Sequence, residues 1–159
     1  MKKLAIAVAV MALCATGAFA ADNDTLRINY EVKAINEIAI TDEAVTLTVD
    51  TAVAGSQPEQ ATAGSTYGIT TNGSDMKITG AIDTAMDTGL TLKANLTAPS
   101  VGTSASAVEM TEVAADLVTG ITEVTGSGLA LGLTLDATVD AGVVASAQKT
   151  LTLTLTSAL

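Results

Sequence analysis

The chain of 159 residues contains no histidine and no tryptophan, with one cysteine, one phenylalanine and two tyrosines. Without histidine and with only Cys14, the usual ligand sets for zinc, copper and iron are missing. The Ser-His-Asp and Cys-His nucleophile pairs are missing too. Cys14 and Phe19 both fall within the first twenty residues, so the chain beyond them has neither a disulfide partner nor a Phe. Tyr30 and Tyr67 are then the only aromatic rings. Sugar platforms and protein hot spots lean on such rings, and membrane barrels carry girdles of them. A lectin-like module and a porin-like barrel are accordingly disfavoured. Basic residues are scarce as well.

The opening, MKKLAIAVAVMALCATGAFA, has Lys2 and Lys3, an apolar run from Leu4 to Leu13, and small residues Ala18 and Ala20 around Phe19. This order is that of a secretory signal peptide, residues 1–20, cleaved after Ala20. The apolar run is shorter than the roughly 20 residues that a spanning helix needs, so the mature chain is expected to have no membrane span. Bulky Leu13 stands where lipidation of Cys14 calls for a small residue. Export, to the extracellular space or cell surface, is the expected destination. Removing Lys2 and Lys3 leaves five basic residues against seventeen acidic, a formal charge of −12. Such a surface repels nucleic acid and anionic membranes.

Residues 21–159 amount to one domain with enough length to bury a core. Its dominant pattern has a period of two. Leu26, Ile28, Tyr30 and Val32 alternate with Arg27, Asn29, Glu31 and Lys33, which predicts a strand over 25–34 that fades through Ile38 and Ile40. Val45, Leu47 and Val49 alternate with Thr46 and Thr48. Tyr67 to Thr71 leads to Asn72-Gly73, a hairpin signal, and Met76 to Ile82 returns. Leu90 to Leu96 alternates again. Residues 54–64 and 98–107 read as loops. Residues 108–118 suit a helical turn or irregular stretch, with a strand near 119–124. Gly126-Ser127-Gly128 reads as a turn into a terminal hairpin, whose arms are Leu129 to Val139 and Leu151 to Leu155. The second arm, flanked by Thr150, Thr152, Thr154 and Thr156, carries no charge, so it calls for pairing in a sheet. The sum is seven or eight short antiparallel strands, an all-β fold forming a single β-sandwich. No fixed period of 20–50 residues marks a solenoid.

With this leader, the low-aromatic Thr/Ala-rich strands and the ending AGVVASAQKTLTLTLT, the chain resembles the broad class of small secreted bacterial β-sandwich subunits that includes pilin-like and spore-coat-like proteins. The resemblance implies an Ig-like or pilin-like sandwich and a structural, non-enzymatic role in a filament or coat of copies of itself. The paired cysteines and C-terminal tyrosine of many chaperone–usher pilins are absent, which leaves spontaneous assembly or a plain surface domain open. Residues 21–34 then become a donor strand that completes a neighbour's sheet, with Leu26, Ile28, Tyr30 and Val32 as its buried anchors and the terminal hairpin in the accepting sheet. The competing expectations are an internal first strand, and a monomeric binding or adhesion module using loops 54–64 and 98–107. Asp22 with Asp24, Asp42 with Glu43, and Asp83 with Asp87 offer oxygen ligands for Ca²⁺ without completing a calcium-loop pattern. No other cofactor is suggested.

Overall fold

Alternating apolar residues settle when one face of a strand is buried against a second sheet, and two such layers organise this chain. The computed structural model describes residues 23–158. The leader expected over 1–20, Cys14 and Asp22 lie outside the described residues. The chain divides into two units, one ending at Val32 and the other starting at Lys33.

In the first unit, residues 23–32 carry no strand or helix and are exposed throughout. Among the described residues, no part of the strand expected over 25–34 joins a ladder, and of that stretch the Lys33 carbonyl accepts a hydrogen bond from the Asn72 side chain. The alternation is real, but no strand of the chain's own sheets is paired alongside it.

The second unit is all-β. Its strands are β1 (Asn36–Ile40), β2 (Ala61–Thr71), β3 (Met76–Ile82), β4 (Leu90–Leu96), β5 (Thr103–Ser104), β6 (Val108–Glu109), β7 (Ala115–Ile121), β8 (Val124–Ala137) and β9 (Leu151–Ser157). One 3₁₀ turn, Val139–Ala141, precedes β9. The strands form two antiparallel sheets, ordered β1-β2-β8-β4-β6 and β5-β7-β3-β9, which make a β-sandwich. Tyr67, Ile69, Leu92, Leu96, Leu131 and Leu133 from the first sheet meet Ile78, Ile82, Leu117, Val118 and Ile121 from the second. Each such buried side chain contributes about 1.5–3 kcal/mol relative to exposure.

Four expectations are corrected by this topology. The terminal hairpin does not form: β8 pairs with β2 and β4, whereas β9 pairs with β3 in the other sheet. Gly126-Ser127-Gly128 is not a turn, because β8 runs through it. One extra residue is accommodated there, where Tyr67 and Ile69 face Leu129 and Gly126, with Gly128 at φ 63. That is a bulge with glycine in the left-handed region. Asn72-Gly73 is not a hairpin turn either, since β2 and β3 belong to different sheets. Finally, residues 115–118, expected as a helical turn or irregular stretch, are strand, and the strand expected near 119–124 is the continuation of β7 to Ile121. Register shifts opposite Met76–Thr79 bring Leu117, Val118 and Ile121 all into the core. A doubly bulged strand therefore buries residues at helix-like spacing.

Candidate assembly surfaces

Three features of the two units bear on association. The first is the segment 23–32 itself. Leu26 is 86% exposed, Ile28 73%, Tyr30 91% and Val32 78%. Four large apolar side chains in strict alternation stand in water, which exposes an unusual amount of hydrophobic surface for so few residues.

The second is the edge of β9 that faces away from β3 at Leu151, Leu153 and Leu155. Its ladder with β3 pairs Thr152 with Ala81, Thr154 with Thr79 and Thr156 with Lys77. The bracketing bonds, Asp83 N–H to Thr150 O and Ala158 N–H to Asp75 O, show which residues face β3. Antiparallel strands alternate bonded and non-bonded pairs, so the even-numbered residues spend their backbone groups on β3. The N–H and C=O groups of Leu151, Leu153 and Leu155 consequently point to the other side. Among the described residues β9 has β3 as its one ladder partner. The three leucines are half-buried against the core, while Thr152 and Thr154 are exposed.

The third is a groove beside the start of β9. Val45, Leu47, Leu131, Leu135 and Leu151 help line a cavity of about 440 Å³, continuous in lining with a second of about 820 Å³ between residues 44–52 and 139–149. Residues 44–50 were expected to be a strand, and they pair with nothing in the sheets. Their side chains still alternate: Leu47 and Val49 are half-buried, Thr46 and Thr48 exposed. This is strand-like patterning without a neighbouring strand to bond. Residues 143–149, on the other wall, also lack a ladder. Neither wall was recognised as an unpaired edge from the sequence, because periodicity reports which face is buried and not which backbone groups have partners.

The entry to β9 is pinned. Thr150 N–H donates to Asp83 Oδ1 at 3.0 Å. That backbone bond holds the Asp83 carboxyl below the usual carboxylate range. Lys149 Nζ donates to the Ala85 carbonyl at 2.7 Å and to Thr84 Oγ1 at 3.0 Å. Lys93 bonds Asp136 Oδ2 at 2.7 Å on the outer face of the first sheet, and this partner raises the lysine's pKa.

Of the carboxylates named as calcium ligands, Asp22 is not among the described residues. Asp24 Oδ1 accepts from Thr25 N–H, Asp83 is engaged with Thr150, and Asp42 and Glu43 are exposed. Among the described residues no three potential metal ligands cluster, and no helix is long and apolar enough to cross a membrane. The two loops also stay apart. Loop 54–64, whose last residues belong to β2, bonds Val139 N–H through Gln57 Oε1, near the Leu90–Ala137 end of the β4–β8 pair. Loop 98–107 follows the opposite end, where Leu96 faces Leu131. No family model, curated protein or solved structure matches this chain.

Proposed function

We propose that this protein is a structural subunit of an extracellular filament or surface coat, in which residues 25–34 of one copy complete the sandwich of the next. The observation that carries the reading is the exposed, alternating Leu26, Ile28, Tyr30 and Val32 on a segment that has no strand partner among the described residues. A strand with one apolar face gains most when it enters a sheet edge above a core. The edge of β9 facing away from β3 supplies the backbone groups of Leu151, Leu153 and Leu155, and the adjoining groove supplies apolar walls. Burying four such side chains is worth roughly 6–10 kcal/mol before the cost of association is subtracted. Export rests on the leader, and the likeness to pilin-like and spore-coat-like subunits supports the same role.

Electron microscopy of residues 21–159 tests the proposal beside a chain lacking 21–34. Filaments or sheets are expected from the first and none from the second. Ile28→Asp is expected to abolish assembly while leaving the fold of the second unit intact, since Ile28 is exposed in the single chain. Single-domain particles from the intact mature chain at every concentration overturn the reading.

A further inference from the structure

Asn72 does something other than turn the chain. Its backbone N–H donates to the Ile35 carbonyl at 3.2 Å. Its side-chain Oδ1 accepts from Ile35 N–H at 2.8 Å, and Nδ2 donates to the Lys33 carbonyl at 2.8 Å. The amide orientation follows from its partners, because an N–H needs an acceptor and a carbonyl needs a donor. Ile35 and Asn72 continue the β1–β2 register in which Asn36 faces Thr71. The side chain thus extends the ladder one step past the point where β2 ends, and grips residues 33–35. Gly73 N–H is also occupied, donating to Thr71 Oγ1 at 2.9 Å.

Asn72 is exposed and is followed by glycine, the neighbour least able to hinder attack on the side-chain amide. In that reaction the Gly73 backbone nitrogen, after losing its proton to hydroxide, bonds to Asn72 Cγ and the Cγ–Nδ2 bond breaks with release of ammonia. Water then opens the cyclic imide to aspartate or isoaspartate. No oxidant or reductant is involved. The product carries oxygen where Nδ2 had donated, so a carboxylate faces the Lys33 carbonyl and the grip is lost.

We infer that Asn72 is a latch on residues 33–35 and a site of spontaneous deamidation that is suppressed while the latch is closed. The inference does not depend on strand exchange. Two side-chain hydrogen bonds must open before the amide can rotate into place, which slows conversion by roughly tenfold or more.

The experiment uses the mature chain, residues 21–159, aged at mildly alkaline pH, with mass-spectrometric reading of Asn72. Ile35→Pro removes the N–H that Oδ1 accepts from, and is expected to speed conversion about tenfold, the loss of one or two hydrogen bonds. Brief trypsin treatment reads the latch directly. The bond after Lys33 includes the held carbonyl, the bond after Arg27 lies in the exposed segment, and Lys77 and Lys93 sit in β3 and β4. Asn72→Asp is expected to raise cleavage after Lys33 relative to Arg27, with Lys77 and Lys93 still protected. In aged wild-type protein, deamidated molecules are expected to be enriched in the fraction cut after Lys33, which decides the matter even where a variant loses its fold. Equal conversion rates in wild type and Ile35→Pro, or no enrichment in the cut fraction, overturn the inference.

Discussion

Tyr67 shows how a single residue couples the core to pH. It is fully buried, and its hydroxyl donates to the Thr97 carbonyl at 2.7 Å. Burial disfavours the phenolate and pushes the pKa up from 10.0 to about 12. Above pH 10 the unfolded chain ionises at this position while the folded one does not. Stability is therefore intact below pH 10 and falls between about pH 10 and 12, by about 3 kcal/mol at 1.36 per unit. Lys93, with its raised pKa, loses its pairing with Asp136 on the same alkaline side. Tyr67→Phe is expected to lower stability near neutrality by about 1–3 kcal/mol, since it leaves a carbonyl without its donor. It is also expected to shrink, without abolishing, the alkaline loss. Urea midpoints across pH 8–12 for both proteins check this, and equal alkaline slopes would show that Tyr67 is not the titrating group. Gly89 makes a second residue-level case. It has φ 79, and a Cβ there would stand 2.5 Å from the backbone nitrogen of Ala141. Gly89→Ala is expected to cost about 1–3 kcal/mol through backbone strain, read as a lowered melting temperature.

Among the elements, β9 is the one whose edge chemistry can be separated from its fold. Leu153 N–H points to the free side, whereas Thr152 N–H belongs to the β3 ladder. Proline is tolerated on an edge strand where its missing donor faces outward, and it is not tolerated where a ladder bond is lost. Leu153→Pro is expected to leave a folded second unit that fails to accept a strand, with some stability lost from the smaller side chain. Thr152→Pro is expected to unfold or strongly destabilise the unit. Circular dichroism with sedimentation distinguishes the two, and a normally assembling Leu153→Pro would exclude the β9 edge as the acceptor. The strands legible in the sequence were those with unbroken alternation, such as β3, β4 and β9. Their partners were not legible. Period two states that a strand has a buried face, but not which strand lies beside it, so Leu129–Val139 and Leu151–Leu155 looked like one hairpin although they lie in opposite sheets. Bulges hid the rest, because an extra residue breaks the parity on which the reading depends, as at Leu117-Val118 in β7. Leu26, Ile28, Tyr30 and Val32 were legible as an alternating set for the same reason, while the groove walls at 44–50 and 143–149 had to be seen in three dimensions.

At the scale of the whole molecule, charge opposes the association proposed for the apolar segment. Residues 21–159 carry a formal −12, so two copies brought edge to edge repel one another wherever carboxylates are not paired. Lys77–Asp116 and Lys93–Asp136 are ion pairs formed within one chain, so they leave that repulsion between copies in place. Salt shortens the reach of the repulsion from about 30 Å at 0.01 M to about 8 Å at 0.15 M, yet leaves strand pairing and apolar burial nearly untouched. Assembly of residues 21–159 is therefore expected to be slow at low ionic strength and to accelerate with added sodium chloride, as followed by light scattering. The Ile28→Asp chain is expected to stay dispersed at every salt concentration, because screening cannot replace a missing apolar anchor. A wild-type rate that falls as salt is added would mean that opposite charges on neighbouring copies, rather than the exposed apolar face, draw the subunits together.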